Sequence, residues 1–236
     1  MKFIVCENYD EMSARAADIF IKEITENPRC VLGLATGSTP IGMYEKLAAA
    51  NLDFSRVTTV NLDEYYPILP ENENSYRYFM NKNLFDKVNI DKNNTHVPSG
   101  TAKDAEEECL NYDKIIEKLG GIDLQMLGIG QNGHIGFNEP SDALVSGTHL
   151  TDLTESTIEA NSRFFENESD VPRHALTMGM ASIFSARKIV LLASGKNKHA
   201  AISALLNNDI TTRIPATLLK MHPDVTVICD KEAYNG

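Results

Sequence analysis

Short apolar runs rich in β-branched residues recur along the chain, separated by longer stretches in which apolar residues return every three or four positions. The short runs predict strands over Lys2 to Cys6, Cys30 to Ala35, Val57 to Leu62, Leu124 to Ile129, Lys188 to Ala193 and Val225 to Cys229, because such residues pack well on a pleated surface. Between them, Glu11 to Thr25 sets Met12, Ala16, Ile19 and Phe20 on one helical face, and Ala105 to Leu119 does the same with Cys109, Tyr112, Ile116 and Leu119. Strands alternating with helices are the rhythm of βαβ units and predict a parallel sheet. Pro67, Pro70 and Glu71-Asn72-Glu73-Asn74 make a polar loop after the third strand. Asp142 to Asn167 is polar and irregular, and reads as a mobile flap rather than core. No repeat, low-complexity tract or linker interrupts residues 1–236, which predicts a single domain.

Composition narrows the classes. A chain of 236 residues can bury a substantial core. The net charge of -11, with no dense Lys/Arg run, argues against a nucleic-acid surface, because phosphate backbones are held by clustered cations. A small anion stays open as a ligand if local donors grip it against the overall field. Cys6, Cys30, Cys109 and Cys229 are scattered with no CxxC pair, the pattern of a reducing compartment rather than a disulfide framework or zinc site. Cys30 and Cys229 lie in apolar runs and read as core. The run Phe3 to Cys6 is too short for a signal peptide, and no apolar stretch approaches a membrane span. The expectation is a cytoplasmic protein without a membrane partner.

In open parallel sheets ligands sit beyond the carboxyl ends of the strands. Three post-strand segments and two cations stand out. Ala35-Thr36-Gly37-Ser38-Thr39-Pro40 joins the second strand to a helical stretch, Ile41 to Ala50. Ser38 or Thr39 can cap that helix and Pro40 fits its first turn, so the amides there can cradle phosphate. A plain capped turn has the same grammar. Asn61-Leu62-Asp63-Glu64-Tyr65-Tyr66 ends an apolar strand in two carboxylates. A carboxylate desolvated at a sheet mouth gains the basicity to take a proton from carbon, although charged residues also merely solvate strand ends. Gly128 to Pro140 carries four glycines with His134 and Glu139 in one loop. A carboxylate beside histidine sets its tautomer and raises its basicity, making an acid–base pair. No further His or Cys stands at ligand spacing, and the glycines do not form a dinucleotide fingerprint. Arg163 and Lys198, the latter just past an apolar strand, could each reach a phosphate or sit solvated on the surface.

Leu34 to Pro40, Asn61 to Tyr65, Gly128 to Pro140 and Asn161 to Phe165 together resemble the glucosamine-6-phosphate deaminase family in order, spacing and wording, over nearly the whole chain. The Gly-His-Ile-Gly-Phe-Asn-Glu-Pro string is specific, since related 6-phosphogluconolactonases continue differently after the histidine. The resemblance implies an α/β fold: a three-layer, Rossmann-like open sheet, mostly parallel, with helices on both faces. It implies no metal and no organic cofactor. Its activity would turn glucosamine 6-phosphate and water into fructose 6-phosphate and ammonia in amino-sugar catabolism. By the same resemblance Asp63 matches the base that moves a proton between C2 and C1, His134 the residue that opens the pyranose ring, and Glu139 its carboxylate partner. Gly37, Ser38, Thr39, Arg163 and Lys198 match the phosphate grip.

Two departures stand out. Many members carry Asp where this chain has Asn132, which leaves an amide to orient the imidazole. Hexameric relatives activated by N-acetylglucosamine 6-phosphate have basic residues where His149 and Thr151 align, and they extend past Gly236. This chain resembles the shorter, unregulated branch, which implies a monomer or small homo-oligomer with hyperbolic kinetics. The rivals are a 6-phosphogluconolactonase-like hydrolase and a non-catalytic sugar-phosphate sensor. A sensor that regulates transcription calls for an N-terminal helix-turn-helix, whereas here the first strand begins at once.

Overall fold

The computed structural model describes residues 1–162, 165, 167 and 170–236. Its strands are β1 (Lys2–Cys6), β2 (Val31–Leu34), β3 (Thr58–Asn61), β4 (Asp63–Tyr66), β5 (Thr95–His96), β6 (Leu124–Leu127), β7 (His149–Asp152), β8 (His174–Thr177), β9 (Lys188–Ala193) and β10 (Val225–Asp230). Its α-helices are α1 (Tyr9–Glu26), α2 (Ile41–Ala49), α3 (Tyr76–Met80), α4 (Ala105–Lys118), α5 (Glu155–Ser162), α6 (Met180–Phe184), α7 (His199–Leu206) and α8 (Lys231–Asn235). Seven strands form one parallel sheet in the order β1-β10-β9-β6-β2-β3-β5. Every residue of β2 and β6 is buried, as expected when a parallel sheet is covered on both faces. Gly33 makes room for Gln125 on the neighbouring strand, since a side-chain carbon at Gly33 would fall 2.0 Å from Gln125 Oε1. The long helices supply the cover. Asn8 caps α1 by accepting from the Glu11 amide, and the helix buries Met12, Ala16, Ala17, Phe20 and Ile24. Asp104 caps α4 in the same way, at the Glu106 and Glu107 amides. The expected open α/β sheet is the fold observed.

The chain moves outward from β2 to β3 and β5, then returns to β6 and moves the other way to β9 and β10. The order reverses between β2 and β6, and a crevice at the carboxyl ends of two such strands is where open sheets take ligands. Ala35 to Pro40 leaves β2 and Gly128 to Pro140 leaves β6, so both flank it.

Two expectations are corrected. The predicted strand Val57 to Leu62 stops at Asn61, and the chain crosses to a second sheet, antiparallel in the order β4-β8-β7. Leu62 links the two sheets: its amide donates to Leu34 O at 3.0 Å and its carbonyl accepts from Met178 N at 2.7 Å. The stretch 142–167, expected to be irregular, contains β7 and α5. Leu153 and Ile158 from it are buried in a second apolar cluster with Tyr65, Ile68, Phe137, Val171 and Ala175. Its polarity misled because one face of this small sheet and helix meets solvent, so few of its residues need be apolar. Among the described residues, no helix is long and apolar enough to cross a membrane.

Candidate active site

The loop after β2 turns at Gly37, whose φ of +89° is a left-handed conformation that glycine adopts without cost. The expected cap by Ser38 or Thr39 is not made: Pro40 occupies the cap position of α2, and no side chain caps it. Tyr9 replaces it from the first turn of α1. Its hydroxyl donates to Ser38 O at 3.2 Å and accepts from the Gly42 amide at 2.8 Å. From below, buried Tyr44 donates to Ala35 O at 2.6 Å. The loop is therefore braced by two tyrosines, while Ser38 lies exposed and Thr39 half-buried.

The two adjacent carboxylates at the start of β4 have different surroundings. Glu64 is buried and accepts from three backbone amides, Tyr65 at 2.9 Å, Tyr76 at 2.8 Å and Arg77 at 2.9 Å. It anchors the start of α3. Burial pushes its carboxyl up to about 7 against the pull of those donors. Asp63 is 7% exposed, and none of the described residues hydrogen-bonds its carboxylate. Burial, with the Glu64 charge next to it, pushes Asp63 up to about 8. Tyr65 and Tyr76 pack together beside it with ring centres 4.7 Å apart, and Phe137 stacks on Tyr76 at 6.3 Å. The sequence could not divide the pair, since both residues read alike at a strand end.

The loop after β6 gathers Asn132, His134 and Glu139. The Gly130 amide donates to His134 O at 2.9 Å, and the imidazole lies against Gly130, where a side-chain carbon would fall 2.5 Å from the ring. His134 Nδ1 stands 3.0 Å from Glu139 Oε1, a short contact whose angle falls short of a linear hydrogen bond. Asn132 Nδ2 donates to Glu139 Oε2 at 2.7 Å, and Asn132 Oδ1 accepts from the His134 amide at 3.1 Å. Thr157 from α5 donates to Glu139 Oε1 at 2.7 Å. Burial raises the Glu139 carboxyl, but His134, Thr157 and Asn132 together outweigh it and hold the group at about 2. Glu139 is thus a fixed anion behind the imidazole. Asp63 meets the same loop at Gly136, where a side-chain carbon would sit 3.8 Å from Asp63 Oδ2.

Of the two cations, Lys198 ends a short 3-10 turn, Lys196–Lys198, directly after β9 and is half-buried. Buried Asp230 fixes that turn, accepting from Ser194 Oγ, from the Gly195 amide and, at 2.8 Å, from the Ala233 amide. Arg163 lies outside the described residues. The structure therefore joins Asn132, His134 and Glu139 in one cluster with Asp63 against it. It sets Gly37, Ser38 and Thr39 on the loop from the adjacent strand, and Lys198 past β9 on the other side of β6. Sequence reasoning missed Tyr9, Thr157 and Asp230, all of which act from segments remote in the chain. It could have read Asp230 from its place at the end of the last apolar run.

An open parallel sheet with carboxylate and imidazole groups gathered at its switch point defines an α/β protein whose acid–base groups stand where such sheets take small ligands. Residues 7–228 match the model of the glucosamine-6-phosphate isomerases/6-phosphogluconolactonase family, and the chain belongs to that family. Its relatives include the glucosamine-6-phosphate deaminase of Clostridium perfringens, 56% identical over 99% of this chain and 98% of that protein. That of Thermoanaerobacter pseudethanolicus is 56% identical over 99% of this chain and 94% of its own length. A solved structure of a monomeric glucosamine-6-phosphate deaminase superposes with a TM-score of 0.97 at 45% identity, covering 100% of this chain and 99% of that one. The 6-phosphogluconolactonase of Thermotoga maritima, at 20% identity and a TM-score of 0.78 over 98% of this chain and 99% of its own, shares the fold alone.

Proposed function

We propose that this chain is a glucosamine-6-phosphate deaminase, converting glucosamine 6-phosphate and water into fructose 6-phosphate and ammonia. The observation that carries the reading is the divided pair of acid–base groups. Asp63 is desolvated and raised to about 8, while Glu139 is held at about 2 beside His134. Two groups with separated proton affinities suit a reaction that needs one base at carbon and a second group at oxygen. His134 takes the proton from the anomeric hydroxyl and returns one to the ring oxygen, opening the pyranose to the free aldehyde. Asp63 removes the proton at C2, the electron pair forms the C1–C2 double bond, and the aldehyde oxygen takes a proton from the neighbouring C2 ammonium, which leaves an enolamine. The same proton returns at C1, giving the imine at C2. Water adds to that imine and ammonia leaves, so the atoms balance with no oxidant and no cofactor. Gly37, Ser38 and Thr39, with Arg163 and Lys198, grip the phosphate, so local donors hold a dianion on a chain of net charge -11.

A lactonase requires activation of water but no base at C2, so it gives no task to the desolvated carboxylate of Asp63. We further read the protein as one cytoplasmic domain, working as a monomer or small oligomer without nucleic-acid or membrane partners. The test is release of ammonia and fructose 6-phosphate from glucosamine 6-phosphate by metal-free protein, with 6-phosphogluconolactone as the parallel substrate. Stoichiometric formation of both products is expected; turnover of the lactone alone would replace this reading.

A further inference from the structure

Glu139 has three side-chain partners from two parts of the chain, and one comes from outside its own loop. Asn132 and His134 belong to the loop after β6, whereas Thr157 belongs to α5. Thr157 is 6% exposed, and its hydroxyl is itself oriented: it accepts from Thr154 Oγ1 at 3.0 Å while donating to Glu139 Oε1 at 2.7 Å. Thr154 also receives the Thr157 and Ile158 amides on its carbonyl, both at 2.9 Å, which fixes the start of α5. The next residue along, Ile158, is 1% exposed in the second apolar cluster, so an apolar anchor and a hydroxyl help seat α5 among its described residues. Along the chain, α5 ends at Ser162 and Arg163 follows at once.

We infer that Thr157 is a positioning residue that ties the seating of α5 to the His134–Glu139 pair, so that the acid–base group is fully assembled only with α5 in place. The inference rests on the deaminase reading and adds to it a route from one end of α5 to the ring-opening group. Oxygen Oε1 faces both His134 and Thr157, so loss of the hydroxyl frees the carboxylate to rotate away from Nδ1. The ionisable groups around this cluster are His134 and Glu139 themselves, with Asp63 approaching Gly136 of the same loop. On the neighbouring segments Arg213 is paired with Asp142 and Glu155 with Arg173. None of these carries a proton to Thr157.

The experiment compares Thr157→Val, which keeps the shape and removes the hydroxyl, with Thr157→Ser, which keeps the hydroxyl. Expected are a fall of about tenfold in kcat for the Val variant with KM changed less than about threefold, and rescue to within about twofold of the parent by Ser. A second readout needs no turnover: the Glu139 carboxyl titration, followed by carbon NMR without substrate, moves upward in the Val variant only. Unchanged kcat and unchanged titration in the Val variant would overturn the inference. So would equal losses in Val and Ser, which would mark a packing role. Failure of the parent protein to release ammonia would overturn the deaminase reading, while the titration would still decide whether Thr157 acts on Glu139.

Discussion

Asp63 and Gly136 approach each other with no side chain between them: a carbon placed on Gly136 would lie 3.8 Å from Asp63 Oδ2. The glycine adopts a φ of +57°, and the same imagined carbon would press Thr177 Oγ1 at 2.9 Å, the atom that accepts from the Phe137 amide. The histidine loop and the buried carboxylate are thus fitted to each other through backbone.

Asp63→Asn removes the proposed base while keeping its shape. Turnover is expected to fall by at least about a thousandfold with substrate binding retained, as measured by isothermal titration. The variant also gains stability in base. A carboxyl raised to about 8 when folded binds its proton more tightly than when unfolded, so it lowers stability as pH rises from about 4 to 8. Relief of that penalty should make the variant more stable relative to the parent at pH 8 than at pH 4, as read in denaturant titrations. An Asn variant with near-normal activity would remove Asp63 from the role.

If Asp63 must be ionised to act, kcat/KM should climb as pH rises through about 8 and fall below it. Glu64→Gln takes away the neighbouring charge, and the climb should then begin about half a unit to one unit lower. Gln is also a poorer acceptor for the amides of Tyr65, Tyr76 and Arg77, so a loss of about 1–2 kcal/mol in stability should accompany the shift. A flat profile from pH 6 to 9 in the parent protein would count against both assignments.

His134→Asn and Glu139→Gln should each lower kcat about a hundredfold or more. Their stability profiles should differ. Because Glu139 is held at about 2, its contribution is complete above about pH 4.5 and disappears as pH falls through 2. The Gln variant should therefore show a shallower loss of stability in acid, a difference that thermal melts between pH 2 and 5 would reveal.

Gly37→Ala isolates backbone conformation from crowding, because no atom lies within 4 Å of the added carbon and the φ is +89°. The strain should cost about 1–2 kcal/mol in the loop. The expected result is a KM raised about tenfold for the phosphorylated substrate with kcat within about threefold. A fall in kcat at constant KM would place the loop elsewhere in the mechanism.

The large sheet was legible mainly where its strands are buried on both faces and so apolar, as in β2 and β6; its two-residue edge strand Thr95–His96 carries no apolar run and was missed. Lys2–Cys6 and Lys188–Ala193 have the bounds their apolar runs predict. The small sheet was hidden for the opposite reason: β4 reads Asp-Glu-Tyr-Tyr and β7 reads His-Leu-Thr-Asp, neither an apolar run. Within the candidate site, Asn132, His134 and Glu139 stand close in sequence, so their grouping survived the step to three dimensions. Contributions from afar did not. Tyr9 lies 29 residues from the carbonyl it grips and Thr157 lies 18 from Glu139, and nothing local in either segment announces the contact.

Leu62 hydrogen-bonds to both sheets and Asp63 comes next, which places the carboxylate at the fulcrum of any tilt between them. Displacement in a rotation grows with distance from its axis. A tilt that carried the far strand β7 through several ångströms would shift Asp63 by only a small fraction of that. The junction between the sheets thus holds the Asp63 carboxylate nearly still under any tilt that displaces the outer strand of the small sheet.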